Sequence, residues 1–174
     1  MIHRLRVSLL DADPPIWRLL EVRSSTTLAE LSAVIQTAFG WSGEHQHVFT
    51  TPHGLVADPG ADLPAADERT VTLAEAMTHG HLQYRYDLGD AWDHLVRLEK
   101  VTPSDPRLRY PRCTDGARAA PPEHVAGGIH GYTALLSVLP HPDHPDHPHL
   151  TEYLDADFDP NHFSATETDA ELRD

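Results

Sequence analysis

Residues 82–98 read Leu82-Gln83-Tyr84-Arg85-Tyr86-Asp87-Leu88-Gly89-Asp90-Ala91-Trp92-Asp93-His94-Leu95-Val96-Arg97-Leu98. Leu82, Tyr84 and Tyr86 share one parity before the turn, and Trp92, His94, Val96 and Leu98 share one after it. Period-two alternation over short runs is the pattern of half-buried strands. Asp87-Leu88-Gly89-Asp90 between them is turn chemistry, with Gly89 expected to take positive φ. The reading is a β-hairpin with His94 on its apolar face, between Trp92 and Val96. An imidazole in that place needs partners for both ring nitrogens.

Toward the N-terminus the same logic yields more strands and one helix. Leu5, Val7 and Leu9 alternate with Arg4, Arg6 and Ser8 over Ile2 to Leu10. Asp11 to Pro15 is a turn, because two prolines and two aspartates interrupt both ladders and helices. Ile16 to Val22 then returns as a second strand. The spacing predicts a helix over Ser24 to Phe39, with Thr27 and Glu30 as a capping box, an apolar stripe through Leu28, Leu31, Ile35 and Phe39, and Gly40 as the stop. His45, His47 and Phe49 would share one face of a strand within Trp41 to Thr51. Residues 52–68 read as a surface loop, and Thr72 to Glu75 as a second capping box opening a short helix through about Met77.

Toward the C-terminus the pattern weakens. Thr102 to Gly128 reads as irregular, broken by five prolines and closed by Gly127-Gly128. Tyr132, Leu135, Leu136 and Leu139 fit a helix ended by Pro140. Residues 141–149, which alternate His, Pro and Asp, read as a solvated connector or a metal-binding tract. Leu150, Tyr153 and Leu154 suggest one more short helix. These elements predict a single α+β domain over residues 1–163. Its β-grasp-like mixed or antiparallel sheet would carry helices on one face, and a polar, frayed tail would occupy residues 164–174.

Composition narrows the function. The 174 residues suffice to bury a core, with 40% hydrophobic and 23% charged residues. A net charge of −14 spread along the chain opposes binding to phosphate backbones, so direct nucleic-acid binding is not expected, and neither is a membrane partner. The single cysteine, Cys113, cannot form an internal disulfide and suits a reducing compartment. The N-terminus lacks the apolar run of a signal peptide and no stretch reaches the roughly 18 apolar residues of a membrane span, so a cytoplasmic location is expected.

Several short motifs occur in a set order. They are Pro14-Pro15-Ile16-Trp17-Arg18, Ala38-Phe39-Gly40-Trp41, a His-x-His-x-Phe segment, Tyr86 to His94, Tyr110-Pro111-Arg112-Cys113, Pro121-Pro122-Glu123, Gly127-Gly128 with Gly131-Tyr132, and Phe158-Asp159-Pro160. Together they resemble the plasmid pRiA4b ORF-3-like family from about Ile2 to Phe163. The resemblance implies an α+β fold related to β-grasp arrangements and an association with plasmids and insertion elements, with no defined molecular activity. Family members often carry a second cysteine before the Pro-Pro-Glu and an aspartate after it. Here Ala120 and His124 stand there, with Ala126 as an extra residue, so a cysteine-pair metal site would be incomplete.

The candidate pocket is Tyr86, Asp87, Asp90, Trp92, His94 and Glu123. The candidate metal ligands are His94, Cys113, His124, His45 and His47, which would suit a zinc-like divalent ion. Against this stands a structural reading, in which Asp87 and Asp90 accept backbone amides of the turn and His94 is a satisfied core residue. The leading function is a non-catalytic binding or accessory module for a small ligand or a protein. The alternatives are a metal-dependent hydrolase using metal-activated water and an acidic protein mimicking DNA or docking to proteins.

Overall fold

A computed structural model describes all residues from Met1 to Asp174. One eight-stranded sheet contains β1 (Ile2–Leu9), β2 (Trp17–Arg23), β3 (His47–Thr51), β4 (Gly54–Ala57), β5 (Ala66–Asp67), β6 (His81–Tyr86), β7 (Trp92–Thr102) and β8 (Arg112–Ala117). Their order across the sheet is β5-β4-β3-β6-β7-β1-β2-β8. Only the β4–β5 pair is parallel. Five helices complete the α+β domain: α1 (Leu28–Phe39), α2 (Leu73–Ala76), α3 (Gly128–Val138), α4 (His147–Leu150) and α5 (Ala165–Glu171). No helix is long and apolar enough to cross a membrane.

The parity of β1 decides which face is covered. Leu5, Val7 and Leu9 are buried, while Arg4, Arg6 and Ser8 on the opposite face are half-buried. The covering element is α1, whose Leu28, Leu31 and Ile35 are fully buried in the same core cluster as Leu5, Val7 and Val96. Burying each such side chain is worth roughly 1.5–3 kcal/mol. Both ends of α1 follow the sequence. Thr27 Oγ accepts from the Glu30 amide at 3.2 Å, and Glu30 Oε2 accepts from the Thr27 amide at 2.8 Å. Gly40 closes the helix at φ 72°. Arg18, buried beneath that end, donates from Nε to the Ala38 carbonyl at 2.9 Å and from Nη1 to the Ala117 carbonyl at 3.2 Å. Burial lowers its pKa to about 10, and the thiol of Cys113 works in the other direction.

Four regions depart from the sequence reading. The stretch read as irregular between Thr102 and Gly128 contains β8, an edge strand whose alternation is masked by polar residues. The loop expected over 52–68 contains β4 and β5. The connector at 141–149 ends in α4, which opens on His147-Pro148 because proline is tolerated in a first turn. The tail is not frayed: α5 is capped by Ser164 and packs on β8, where Asp169 accepts from the Cys113 amide at 3.0 Å. That carboxylate covers a donor on an otherwise open sheet edge.

Candidate functional site

The expected hairpin of β6 and β7 forms, with Tyr84 opposite His94 and Tyr86 opposite Trp92. Its turn is built differently from the sequence reading. Positive φ falls on Asp87 (61°) and Ala91 (57°), not on Gly89. Asp87 can bear that conformation because its Oδ1 accepts from the amides of Gly89 (2.9 Å) and Asp90 (3.2 Å).

The expected hollow around Trp92 and His94 is filled. Both residues are 0% exposed. The imidazole sits against the rings of Phe39 (4.8 Å), Trp41 (5.3 Å) and Tyr84 (5.6 Å). Its Nδ1 is 3.3 Å from the Tyr84 carbonyl, and its Nε2 is buried without a partner. Burial holds its pKa down at about 4, although backbone groups of Tyr84 and Trp92 pull the other way. His94 is therefore a neutral core residue.

The proposed metal set is also dispersed. Cys113 is opposite Leu20, and Leu20 opposite Leu5, whereas His94 pairs with Leu9. Three inter-strand steps of roughly 4.8 Å and several residues along the strands therefore separate thiol from imidazole. The thiol lies buried with its pKa raised to about 11 by desolvation. No group of three or more His, Cys, Asp or Glu side chains is placed to hold a metal ion. The residues do not fit a zinc-type centre.

What does converge is the hairpin tip and the Pro-Pro-Glu segment. Glu123 accepts from the Ser42 amide and hydroxyl, both at 2.9 Å, and from the Tyr86 hydroxyl. Burial works to raise the Glu123 pKa, but these hydrogen bonds, with a contribution from nearby His45, leave it below its ordinary value. Tyr86 is pushed up to about 12, first by burial and then by that carboxylate. Trp41 stacks on Tyr86 at 4.9 Å and donates from Nε1 to the Pro121 carbonyl at 3.0 Å. Asp90 accepts from the Gly127 amide at 3.2 Å, and a Cβ on Gly128 would collide with the Asp90 carbonyl. His124 approaches His45 with ring centroids 6.0 Å apart. This is a polar clasp in which Glu123, Ser42, Tyr86 and Asp90 satisfy one another and the neighbouring amides, while His45 Nε2 is buried without a partner.

The open space lies on the other side of His45. A cleft of about 320 Å³ runs between α1 and the segment leading into β3, closed at one end by Asp58 to Ala61. Ser32, Gln36, Gly43, Glu44, His45 and His47 line it. At its floor, Gln36 Nε2 donates to Ser32 Oγ (2.9 Å) and to the Tyr84 hydroxyl (3.0 Å). His47 Nε2 lies 2.6 Å from Oε2 of Glu68, a carboxylate only 4% exposed. A carboxylate oxygen accepts, so Nε2 carries the proton, and in the neutral ring Nδ1 is left as an acceptor. The sequence placed His45 and His47 side by side, but nothing in it marked Gln36 or Glu68. Gln36 lies on the polar edge of an amphipathic helix and Glu68 in a segment without periodicity.

The family model described as plasmid pRiA4b ORF-3-like protein matches residues 1–167. Uncharacterized protein y4hQ of Sinorhizobium fredii is 30% identical over 146 residues, which cover 81% of this chain and 74% of that protein. The crystal structure of MM3350 from Methanosarcina mazei Go1, a protein of unknown function, is similar at TM-score 0.88 and 33% identity, covering 95% of this chain and 96% of that one. The chain belongs to the plasmid pRiA4b ORF-3-like family.

Proposed function

We propose that the protein is a non-catalytic binding module whose ligand site is the cleft between α1 and β3. One observation carries this reading: a cleft of about 320 Å³ with nine polar or glycine residues among its twelve lining residues and a carboxylate-oriented imidazole in its wall. That volume falls within the usual size range of small-ligand sites, and convergent polar groups give such sites their specificity. The clasp of Tyr86, Ser42 and Glu123 supports the cleft from behind, because it fixes the segment that carries His45 and His47. The site thus moves along one sheet face, from the filled region around Trp92 and His94 to the cleft beside β3. A mobile-element origin and a β-grasp kinship belong to the same proposal. The first rests on the family's plasmid association, and the second on a β-hairpin followed by a helix laid over the sheet.

The test uses Ala33, an exposed cleft-lining position on α1. A fragment library screened by NMR should give hits that shift the Gly43 to His47 amides, and Ala33→Trp should abolish those hits without unfolding the protein. Hits that persist in the Trp variant, or that map elsewhere, would sink the proposal.

A further inference from the structure

The polarity of the cleft indicates what it takes. Of its lining residues none is lysine or arginine, and two, Glu44 and Asp58, are carboxylates. Arg69, which follows the Asp58 to Ala61 end of the cleft, is engaged by Asp67 at 2.7 Å. The uncharged groups face the same way. Gln36 commits its amide nitrogen to Ser32 and Tyr84, and its Oε1 looks toward the 43–47 segment, 2.8 Å from the place a Cβ on Gly43 would occupy. The Gly43 amide donates to the Tyr86 hydroxyl, which removes the nearest backbone donor from the opening. In its neutral form His47 donates its proton to Glu68, which leaves Nδ1 as a lone pair. His45 Nδ1 stands 3.7 Å from Asp87 Oδ2, too far for a hydrogen bond. The wall therefore offers negative charge and acceptors without a cationic side chain, and Gln46 and His45 add the donors that remain to it. A chain of net charge −14 adds a long-range field of the same sign.

We propose that the cleft binds an organic cation rich in hydrogen-bond donors, an ammonium or guanidinium group. This rests on the reading of the cleft as the ligand site and specifies its ligand. Glu44 and Asp58 supply the charge, and Gln36 Oε1 with His47 Nδ1 supply directional acceptors. A carboxylate or phosphate ligand would find no lysine or arginine there and would be repelled by Glu44 and Asp58. The shared chemistry has two sources, a free amine metabolite or the basic side chain of a partner protein.

The experiment titrates the protein with agmatine, succinate, glucose and an acetylated, amidated Gly-Gly-Arg-Gly-Gly peptide, following the Gly43 amide and the His45 and His47 rings by NMR. Agmatine or the peptide should saturate these signals and succinate should not. In a Glu44→Gln, Asp58→Asn double variant, whose changes are exposed and isosteric, the dissociation constant should rise at least tenfold. Tighter binding of the peptide assigns a protein side chain as the source, and tighter binding of agmatine a free metabolite. Binding of succinate or glucose in the cleft without agmatine or the peptide, or cation affinity unchanged in the double variant, overturns the cation assignment and leaves the cleft as a ligand site. If no probe moves these signals, while a broader fragment screen still maps to the cleft, the cation assignment alone falls. If nothing maps there, both fall.

Discussion

His94 and His47 stand on the same face of one sheet, on β7 and β3, with β6 between them. Their fates differ. His94 is walled in by Phe39, Trp41 and Tyr84, and one of its nitrogens has no partner. His47 is oriented by a buried carboxylate and lines an open cleft. The residue type and the strand context are alike, so neither distinguishes a packing histidine from one that meets a ligand. What distinguishes them is what α1 covers. Its C-terminal end, with Phe39 and the following Trp41, closes over His94, and its polar edge at Ser32 and Gln36 stops short of the 43–47 segment.

The sharpest way to break the contrast is to treat the His94 side as a site. Trp92 is fully buried two positions before His94. Trp92→Ala should cost about 3–5 kcal/mol, read from urea denaturation, as expected for a large aromatic truncation in a close-packed core. A loss under about 1 kcal/mol would mean that the region is loosely filled and that a pocket belongs there after all.

The next effect is the response of His94 to acid. Its pKa is about 4 in the folded state, against 6.5 when exposed. The unfolded chain therefore takes up this proton first as the pH drops. The stability involved is whole above 6.5 and is lost as pH falls toward 4, reaching a loss of about 3 kcal/mol at and below that value. Carboxylates contribute to acid unfolding as well, so the measurement is a difference. In His94→Phe the stability-against-pH curve should be flatter between 6.5 and 4 by about that amount. Parallel curves for the two proteins would show that the imidazole is not held neutral.

The sequence made the hairpin, α1 and the β1–β2 pair legible because their periodicities are strong and their caps explicit, as in the Thr27–Glu30 box. It also brought Asp87, Asp90 and Glu123 into one neighbourhood, where the tip and the Pro-Pro-Glu segment do meet. It could not place the cleft. Gln36 and Glu68 act through orientation set by Ser32, Tyr84 and His47, partners 4 to 48 residues away in the chain. Nor could it show β8 or α5. Their pairing depends on an arginine, Arg18, satisfied by carbonyls and on a carboxylate, Asp169, bound to a strand amide. Polar docking of that kind leaves no apolar rhythm in the sequence.

The smallest expected effect tests His47 itself. Glu68→Gln keeps an oxygen that can accept from Nε2 and removes only the charge assistance, so the stability loss at neutral pH should be about 1 kcal/mol. The more telling readout is the tautomer. Long-range nitrogen–proton NMR correlations should show the Nε2–H form of His47 in the native protein, because a buried carboxylate 2.6 Å away can only accept. In the variant the amide can also donate, so the preference should weaken and the Nδ1–H form should gain population. With it the cleft would lose one of its acceptors, and agmatine affinity should fall. A native His47 found as the Nδ1–H tautomer would erase the difference from His94 at its root, since neither imidazole would then present a lone pair to the open side of the sheet.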